Sequence, residues 1–244
     1  MRVKQIDFPQ PGGYNKGGTE RTGGASPAGR QAGRRPSMRH GIGGLMEKKL
    51  FLTGPAGGGK SRLLREALGG RLASAGGFVT ERSLDADGRF VGYSLLPAAA
   101  AGGVAGFAPA LYLDCRVFPP EKHHEVFRET GVRLLEEAAW YPFALLDELG
   151  GYELVIPQFA AALAALLSTP TPCVGALRTG EDAELLRSLL GLSDRYPRKL
   201  ARLFEALSHS PDCRVVELTE DNREEVRALL ERWAAEYAPF PPEL

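Results

Sequence analysis

The chain of 244 residues contains only three cysteines, Cys115, Cys173 and Cys213, which lie far apart. An odd number without a C-x-x-C pair excludes a disulfide-stapled secreted domain and gives no sign of a cysteine metal site. No apolar run approaches the roughly 18 residues that a transmembrane helix requires. The N-terminus also lacks the apolar segment of a secretory signal. These absences predict a cytoplasmic protein without a membrane partner.

The sequence also lacks net charge, since 30 Lys and Arg residues balance 30 Asp and Glu residues. The balance is uneven, because residues 1–45 hold eight basic and two acidic residues and leave 22 basic and 28 acidic residues for the remainder. General affinity for nucleic acid needs a basic face that replaces counterions, and a mildly acidic body does not supply one. Nucleic acid is therefore an unlikely partner, and the sequence identifies no protein partner.

Residues 1–45 contain eleven glycines and few large apolar side chains. Such a segment cannot bury enough surface to offset the entropy lost on ordering, so we predict that it is disordered. It is either a basic tail that contacts an acidic partner, or sequence that precedes a native start at Met38 or Met46. Residues 46–244 are predicted to form a single domain.

A glycine-rich motif follows the first apolar run of that domain. The run Leu50–Leu52 reads as a buried parallel strand, and the residues from Lys60 to about Ser74 have helical spacing. Between them stands G-x-x-x-x-G-K-S, which in this context predicts a loop whose backbone amides bind phosphate at a helix N-terminus. The lysine is expected to reach the β- and γ-phosphates, and the serine to ligate Mg²⁺. The predicted nucleotide-binding residues are Gly54, Pro55, Ala56, Gly57, Gly58, Gly59, Lys60, Ser61 and Arg62.

Two adjacent acids end a second apolar run, at Phe143–Glu148. Charged residues are rare at the end of a buried strand unless they are used. In a phosphate-loop protein, an aspartate at the carboxyl end of a neighbouring strand holds Mg²⁺, which is the role predicted for Asp147. Glu148 is predicted to be the general base that activates water. The alternative is a strand that stops at a polar turn.

Arg178 follows a further predicted strand, where it either stabilises charge on the γ-phosphate or pairs with Glu181 or Asp182. After it come two predicted helices, Asp182–Leu190 and Pro197–Leu207. Between and within them lie the basic residues Arg187, Arg195, Arg198, Lys199 and Arg202. This basic segment is either a lid over phosphates or a solvated charged surface. A lid would suit a phosphotransferase with a small-molecule or nucleotide acceptor.

Several stretches together resemble the small P-loop nucleoside-triphosphatases known as thermophile-type or cancer-related nucleoside-triphosphatases. Residues 147–154, D-E-L-G-G-Y-E-L, are similar to the family's D-E-I-G-K-M-E-L, residues 77–81 match its G-F-x-T-E, and residues 218–223 resemble its V-T-x-x-N-R. The resemblance covers about residues 48–235. It implies Mg²⁺-dependent hydrolysis of ATP, GTP and other nucleoside triphosphates, and it adds Glu81, Glu153 and Arg223 to the candidate site.

The sequence departs from that pattern at Gly151, where the family has lysine. If that lysine contacts phosphate, this chain hydrolyses slowly or differently, so a slowly cycling nucleotide-dependent switch is an alternative function. The fold class expected is α/β, with the three layers of a P-loop NTPase and a mostly parallel central sheet. Two β-rich runs around an Asp/Gly turn, residues 78–83 and 90–95, are expected to add an antiparallel hairpin.

Overall fold

The computed structural model describes residues 46–241. The disorder predicted for residues 1–45 concerns residues outside this range. Within it, eight strands form one sheet in the order β5-β4-β3-β2-β6-β7-β1-β8. The strands are β1 (Lys49–Thr53), β2 (Ala75–Leu84), β3 (Phe90–Pro97), β4 (Ala110–Asp114), β5 (Glu121–Lys122), β6 (Phe143–Leu149), β7 (Cys173–Leu177) and β8 (Cys213–Glu217).

The sheet has a parallel half and an antiparallel half. Strands β2, β6, β7, β1 and β8 pair in parallel, whereas β3, β4 and β5 continue from β2 in antiparallel pairs. The predicted hairpin is therefore confirmed, and β2 belongs to both halves. The expectation that the Asp147 strand neighbours β1 is wrong, because β7 lies between β6 and β1. The carboxyl ends of both strands still meet at one edge of the sheet.

Helices cover both faces of the sheet. They are α1 (Lys60–Leu68), α2 (His124–Val126), α3 (Val132–Glu137), α4 (Pro157–Leu167), α5 (Gly180–Leu190), α6 (Arg195–His209) and α7 (Arg223–Tyr237), with a π-helical turn, Phe127–Gly131, joining α2 to α3. Residues alternate between the two faces along a strand. Leu50 and Leu52 accordingly pack with α1 and α7, while Phe51 packs with the core of α3 to α6. This is the predicted three-layer α/β architecture.

The helix that follows the glycine-rich loop is shorter than predicted. It ends at Leu68 because Gly69 leaves the helical conformation, with φ of 52° and ψ of −134°. A 3₁₀ segment, Gly69–Ser74, then leads into β2. Gly76 and Gly77 lie inside β2 and do not end the helix.

In the part of the chain that the structure describes, no helix combines the length and the apolar character needed to cross a membrane. The cytoplasmic location stays a prediction. The three cysteines are free thiols, and burial raises the pKa of Cys173 to about 12.

Candidate functional site

The glycine-rich loop joins β1 to α1 at the carboxyl edge of the parallel strands. Gly54 and Gly59 have φ of 131° and 82°, which side chains rarely adopt. Space adds a second restriction, because a Cβ on Gly54 would lie 2.7 Å from the carbonyl oxygen of Leu218. Residues 55–58 are exposed. The loop thus has glycine-specific backbone conformations at its two ends and solvent-exposed residues between them, so a phosphate group could reach its backbone amides.

Lys60 lies within the loop that it follows. Its Nζ donates hydrogen bonds to the carbonyl oxygens of Gly54, at 2.7 Å, and Pro55, at 2.9 Å. Burial lowers the pKa of Lys60, and the nearby carboxylates of Asp182 and Glu148 oppose that shift. The two carbonyls use two of the three ammonium donors. The lysine charge is therefore held beside the loop, with one donor left for a ligand.

Ser61 and Asp147 meet although 86 residues separate them. The Ser61 hydroxyl donates to Oδ1 of Asp147 at 2.7 Å, and Asp147 is only 1% exposed. Burial raises the pKa of Asp147 to about 6, against the opposing effect of the Ser61 hydrogen bond. Arg65, one turn beyond Ser61 on α1, lies 3.8 Å from the other carboxylate oxygen. The two predicted metal ligands are thus brought together.

This pair fits Mg²⁺ in its donor chemistry. A hydroxyl and a carboxylate are hard oxygen ligands, and Mg²⁺ commonly takes one or two protein ligands together with waters and substrate phosphates. Residues 46–241 contain no cluster of three or more His, Cys, Asp or Glu side chains that would suit a metal held by protein alone.

Glu148 has an unusual backbone. Its φ is 64°, and among residues 46–241 it is the one residue other than glycine with a positive φ. The pairing of β6 with β7 shifts register between Leu146 and Leu149, on either side of it. Its carboxylate accepts from the Thr80 hydroxyl and from Arg178, both at 3.4 Å. The two adjacent acids therefore have different partners, Ser61 for Asp147 and the pair Thr80 and Arg178 for Glu148.

Arg178 contacts this glutamate. The expected alternative, pairing with Glu181 or Asp182, is wrong within the described range, because the ion pair of Arg178 is with Glu148. Its side chain is 21% exposed, and its Nε has no hydrogen-bond partner among residues 46–241. Asp182 instead accepts a hydrogen bond from Thr179 at 2.8 Å.

The remaining candidates lie at different distances from this centre. Arg223 approaches the loop from the start of α7, with Nη2 3.5 Å from the carbonyl oxygen of Gly58. Glu81 pairs with Arg65 at 3.4 Å. Arg62 is exposed and pairs with Glu66, so its side chain lies outside the cluster. Glu153 is buried and accepts hydrogen bonds from the backbone amides of Gly150 and Gly151.

The basic segment has two parts. Arg187 forms ion pairs with Glu184 and Asp194, as a solvated surface would. Arg195, Arg198 and Arg202 of α6 are exposed and form no ion pair within residues 46–241. The opposite face of α6 packs on the loop after β6, where the Tyr196 hydroxyl donates to the Gly150 carbonyl oxygen at 2.6 Å. The lid function stays a prediction.

Sequence reasoning missed three residues that touch this site. Arg65 stands four residues after Ser61, and that helical spacing could have identified it. Thr80 lies within the G-F-x-T-E match of residues 77–81 and was passed over. Tyr196 gave no signal, since its role depends on how α6 packs against residues distant in sequence.

Comparison with known proteins gives three findings. The family model described as NTPase matches residues 49–196. The chain is 26% identical over 191 residues to the mouse cancer-related nucleoside-triphosphatase homolog, an alignment that covers 73% of this chain and 92% of the mouse protein. The crystal structure of THEP1 from the hyperthermophile Aquifex aeolicus has 19% identity and a TM-score of 0.47, and the match covers 75% of this chain and 99% of that one.

Proposed function

Because the chain belongs to the NTPase family and is therefore a nucleoside-triphosphatase, we propose that it hydrolyses the γ-phosphate of ATP, GTP and other nucleoside triphosphates with Mg²⁺. The observation that carries the proposal is the 2.7 Å contact between Ser61 and Asp147. That contact joins the glycine-rich loop to the strand that ends in Glu148. In this proposal, one edge of the sheet brings together hydrogen-bond donors for phosphate, the ligands of the metal and a general base.

The loop and Lys60 supply the positive field. Amides at a helix N-terminus favour the phosphate oxygens, and the Lys60 ammonium is already held beside them by Gly54 and Pro55. Ser61 and Asp147 would hold Mg²⁺, which when bound neutralises charge on the β- and γ-phosphates. Such preorganised charges stabilise the transition state without rearrangement during the reaction.

Glu148 orients and deprotonates the attacking water in this proposal. Its side chain is 39% exposed, so water can reach it. Arg178 is bound to the same carboxylate and can exchange that contact for a γ-phosphate oxygen, while Arg223 lies against the loop at Gly58. Phosphoryl transfer depends on such positioning and charge stabilisation, because little covalent chemistry falls to the protein.

A phosphate-release assay over ATP, GTP, CTP and UTP tests the proposal, with Mg²⁺ and no acceptor. We expect release from all four, because the loop binds phosphates and not the base. Excess EDTA should abolish release, and Ser61→Ala should raise the Mg²⁺ concentration needed for half-maximal rate. Nucleotide consumption that strictly requires an acceptor would instead indicate a phosphotransferase. Tight nucleotide binding without turnover would indicate a switch.

A further inference from the structure

Hydrogen bonds with Arg178, Tyr196 and Glu153 hold the turn that begins at Glu148. We define the Glu148 turn as residues 148–151, the link between β6 and a 3₁₀ segment, Tyr152–Val155. The backbone amide of Arg178 donates to the Leu149 carbonyl oxygen at 2.8 Å. The Tyr196 hydroxyl donates to the Gly150 carbonyl oxygen. The amides of Gly150 and Gly151 donate to one carboxylate oxygen of Glu153, at 2.8 and 2.7 Å.

The position of Glu153 is unfavourable for a carboxyl group, because it is buried. Glu153 is 4% exposed, and no Lys, Arg or His side chain of residues 46–241 forms an ion pair with it. Burial raises the pKa of Glu153, and the hydrogen bonds from backbone amides oppose that rise. A buried carboxyl group is tolerated when its oxygens are hydrogen-bonded. Its partners are the amides of the turn, so the contact it makes is with the backbone that follows Glu148.

The absence of a side chain at Gly151 leaves space for the Glu153 carboxylate. The φ of Gly151 is −88°, so its backbone conformation does not call for glycine. A Cβ added there would instead lie 2.4 Å from Oε2 of Glu153, so a side chain at position 151 would displace the end of the Glu153 side chain. Glycine at this position, where the resemblance led us to expect lysine, thus leaves room for the Glu153 side chain over the turn.

We propose that Glu153 is a positioning residue that holds Glu148 in its left-handed conformation, and that in this chain its carboxylate occupies the space that Gly151 leaves free. The inference rests on the proposed function, in which Glu148 acts on water. A left-handed glutamate persists only when its surroundings over-determine it. Glu153 accepts two of the hydrogen bonds that do so, and both come from backbone amides of the turn. Without them Glu148 relaxes from the geometry that the reaction needs.

Steady-state hydrolysis by matched variants of the full chain tests the kinetic part. Glu153→Ala should lower kcat by about 10²-fold with little change in KM, because loss of position affects the reacting group more than binding. Glu153→Gln keeps an acceptor oxygen at the same reach and should retain kcat within about fivefold. Gly151→Ala should lower kcat by displacing the carboxylate. Gly180→Ala is the control, because a Cβ there meets no atom within 4 Å.

The double variant Glu153→Ala/Gly151→Ala gives the sharpest outcome. If the alanine at 151 acts through the carboxylate, the double variant has the kcat of Glu153→Ala alone. Multiplication of the two single effects would overturn the proposal, as would wild-type kcat in Glu153→Ala. If Glu153→Ala does not fold, Gly151→Ala and Glu153→Gln still decide, since the proposal requires the first to be impaired and the second active.

Amide hydrogen exchange separates this inference from the proposed function. Exchange at Gly150 and Gly151 should be slow in the wild type and Glu153→Gln, and faster by about 10-fold or more in Glu153→Ala. This readout needs no turnover, so it applies even if the chain hydrolyses nothing. Unchanged exchange in Glu153→Ala would overturn the positioning role, whereas absent hydrolysis with faster exchange would overturn the function alone.

Discussion

The left-handed backbone of Glu148 makes a prediction about stability that runs against the usual preference for alanine over glycine. A left-handed conformation costs a residue with a Cβ roughly 1–2 kcal/mol, and glycine does not incur that cost. Glu148→Gly and Glu148→Ala both remove the carboxylate and its contacts with Thr80 and Arg178. The difference between the two variants therefore isolates the backbone at φ of 64°.

The magnitude follows from two opposing contributions. Relief of strain favours glycine by about 1–2 kcal/mol, and the greater freedom of glycine in the unfolded chain returns about 0.4–1 kcal/mol. We expect Glu148→Gly to be the more stable variant by about 0.5–1 kcal/mol. For a domain of this size that corresponds to a Tm about 1–4 °C higher. Both variants should lose turnover by about 10²- to 10⁴-fold, as expected for removal of a general base.

Thermal unfolding followed by circular dichroism measures the difference, with the same pair of substitutions at Glu137 as the control. Glu137 has φ of −66° at the end of α3, so alanine should be the more stable replacement there. The reasoning is refuted if Glu148→Ala is as stable as Glu148→Gly. It is also refuted if glycine is favoured equally at both positions, since the effect would then not come from the backbone of Glu148.

Three further predictions follow from contacts around the site and at the opposite edge of the sheet. Asp212→Asn should lower the free energy of chemical unfolding by about 1–2 kcal/mol, because buried Lys49 loses its charged partner and keeps the carbonyl oxygen of Thr169. The hydrogen bond from Lys49 lowers the pKa of Asp212 below 3.8, so this stabilisation is present above pH 3.8 and is lost as pH falls through the folded pKa. Acid unfolding of Asp212→Asn should therefore lack that component. Tyr196→Phe removes the hydroxyl that binds Gly150. Its free energy of unfolding, measured with urea, should be about 1 kcal/mol lower than that of the wild type. Arg223→Ala should raise KM for ATP about 10-fold with a smaller effect on kcat, whereas an unchanged KM would show that its approach to Gly58 plays no part in binding.

Much of the fold could be predicted because its signals are local. The strand, glycine-rich loop and helix around Lys60 occupy consecutive residues, and the hairpin is marked by its turn. The position of β7 between β1 and β6 could not be predicted, since strand order depends on packing that a single strand does not encode. The end of α1 was also misjudged, because Gly69 and Gly76 are equally plausible terminators in the sequence.

The candidate site also has features that could be predicted from the sequence and features that could not. Ser61 and Asp147 were expected together, because each stands at the carboxyl end of its strand or the start of its helix. The left-handed Glu148, its contact with Thr80 and the Glu153 carboxylate over Gly151 depend on a register shift and on close packing. Those features arise from tertiary structure, where sequence spacing carries no information.

Phosphate release from ATP by Lys60→Ala, measured beside the exposed control Lys48→Ala, tests the central claim most directly. Lys60 holds its charge beside the loop through Gly54 and Pro55, and Lys48 precedes β1 at the opposite edge of the sheet. The proposed function predicts that Lys60→Ala releases no phosphate above background while Lys48→Ala retains the wild-type rate. Phosphate release by Lys60→Ala at the rate of the control would contradict it.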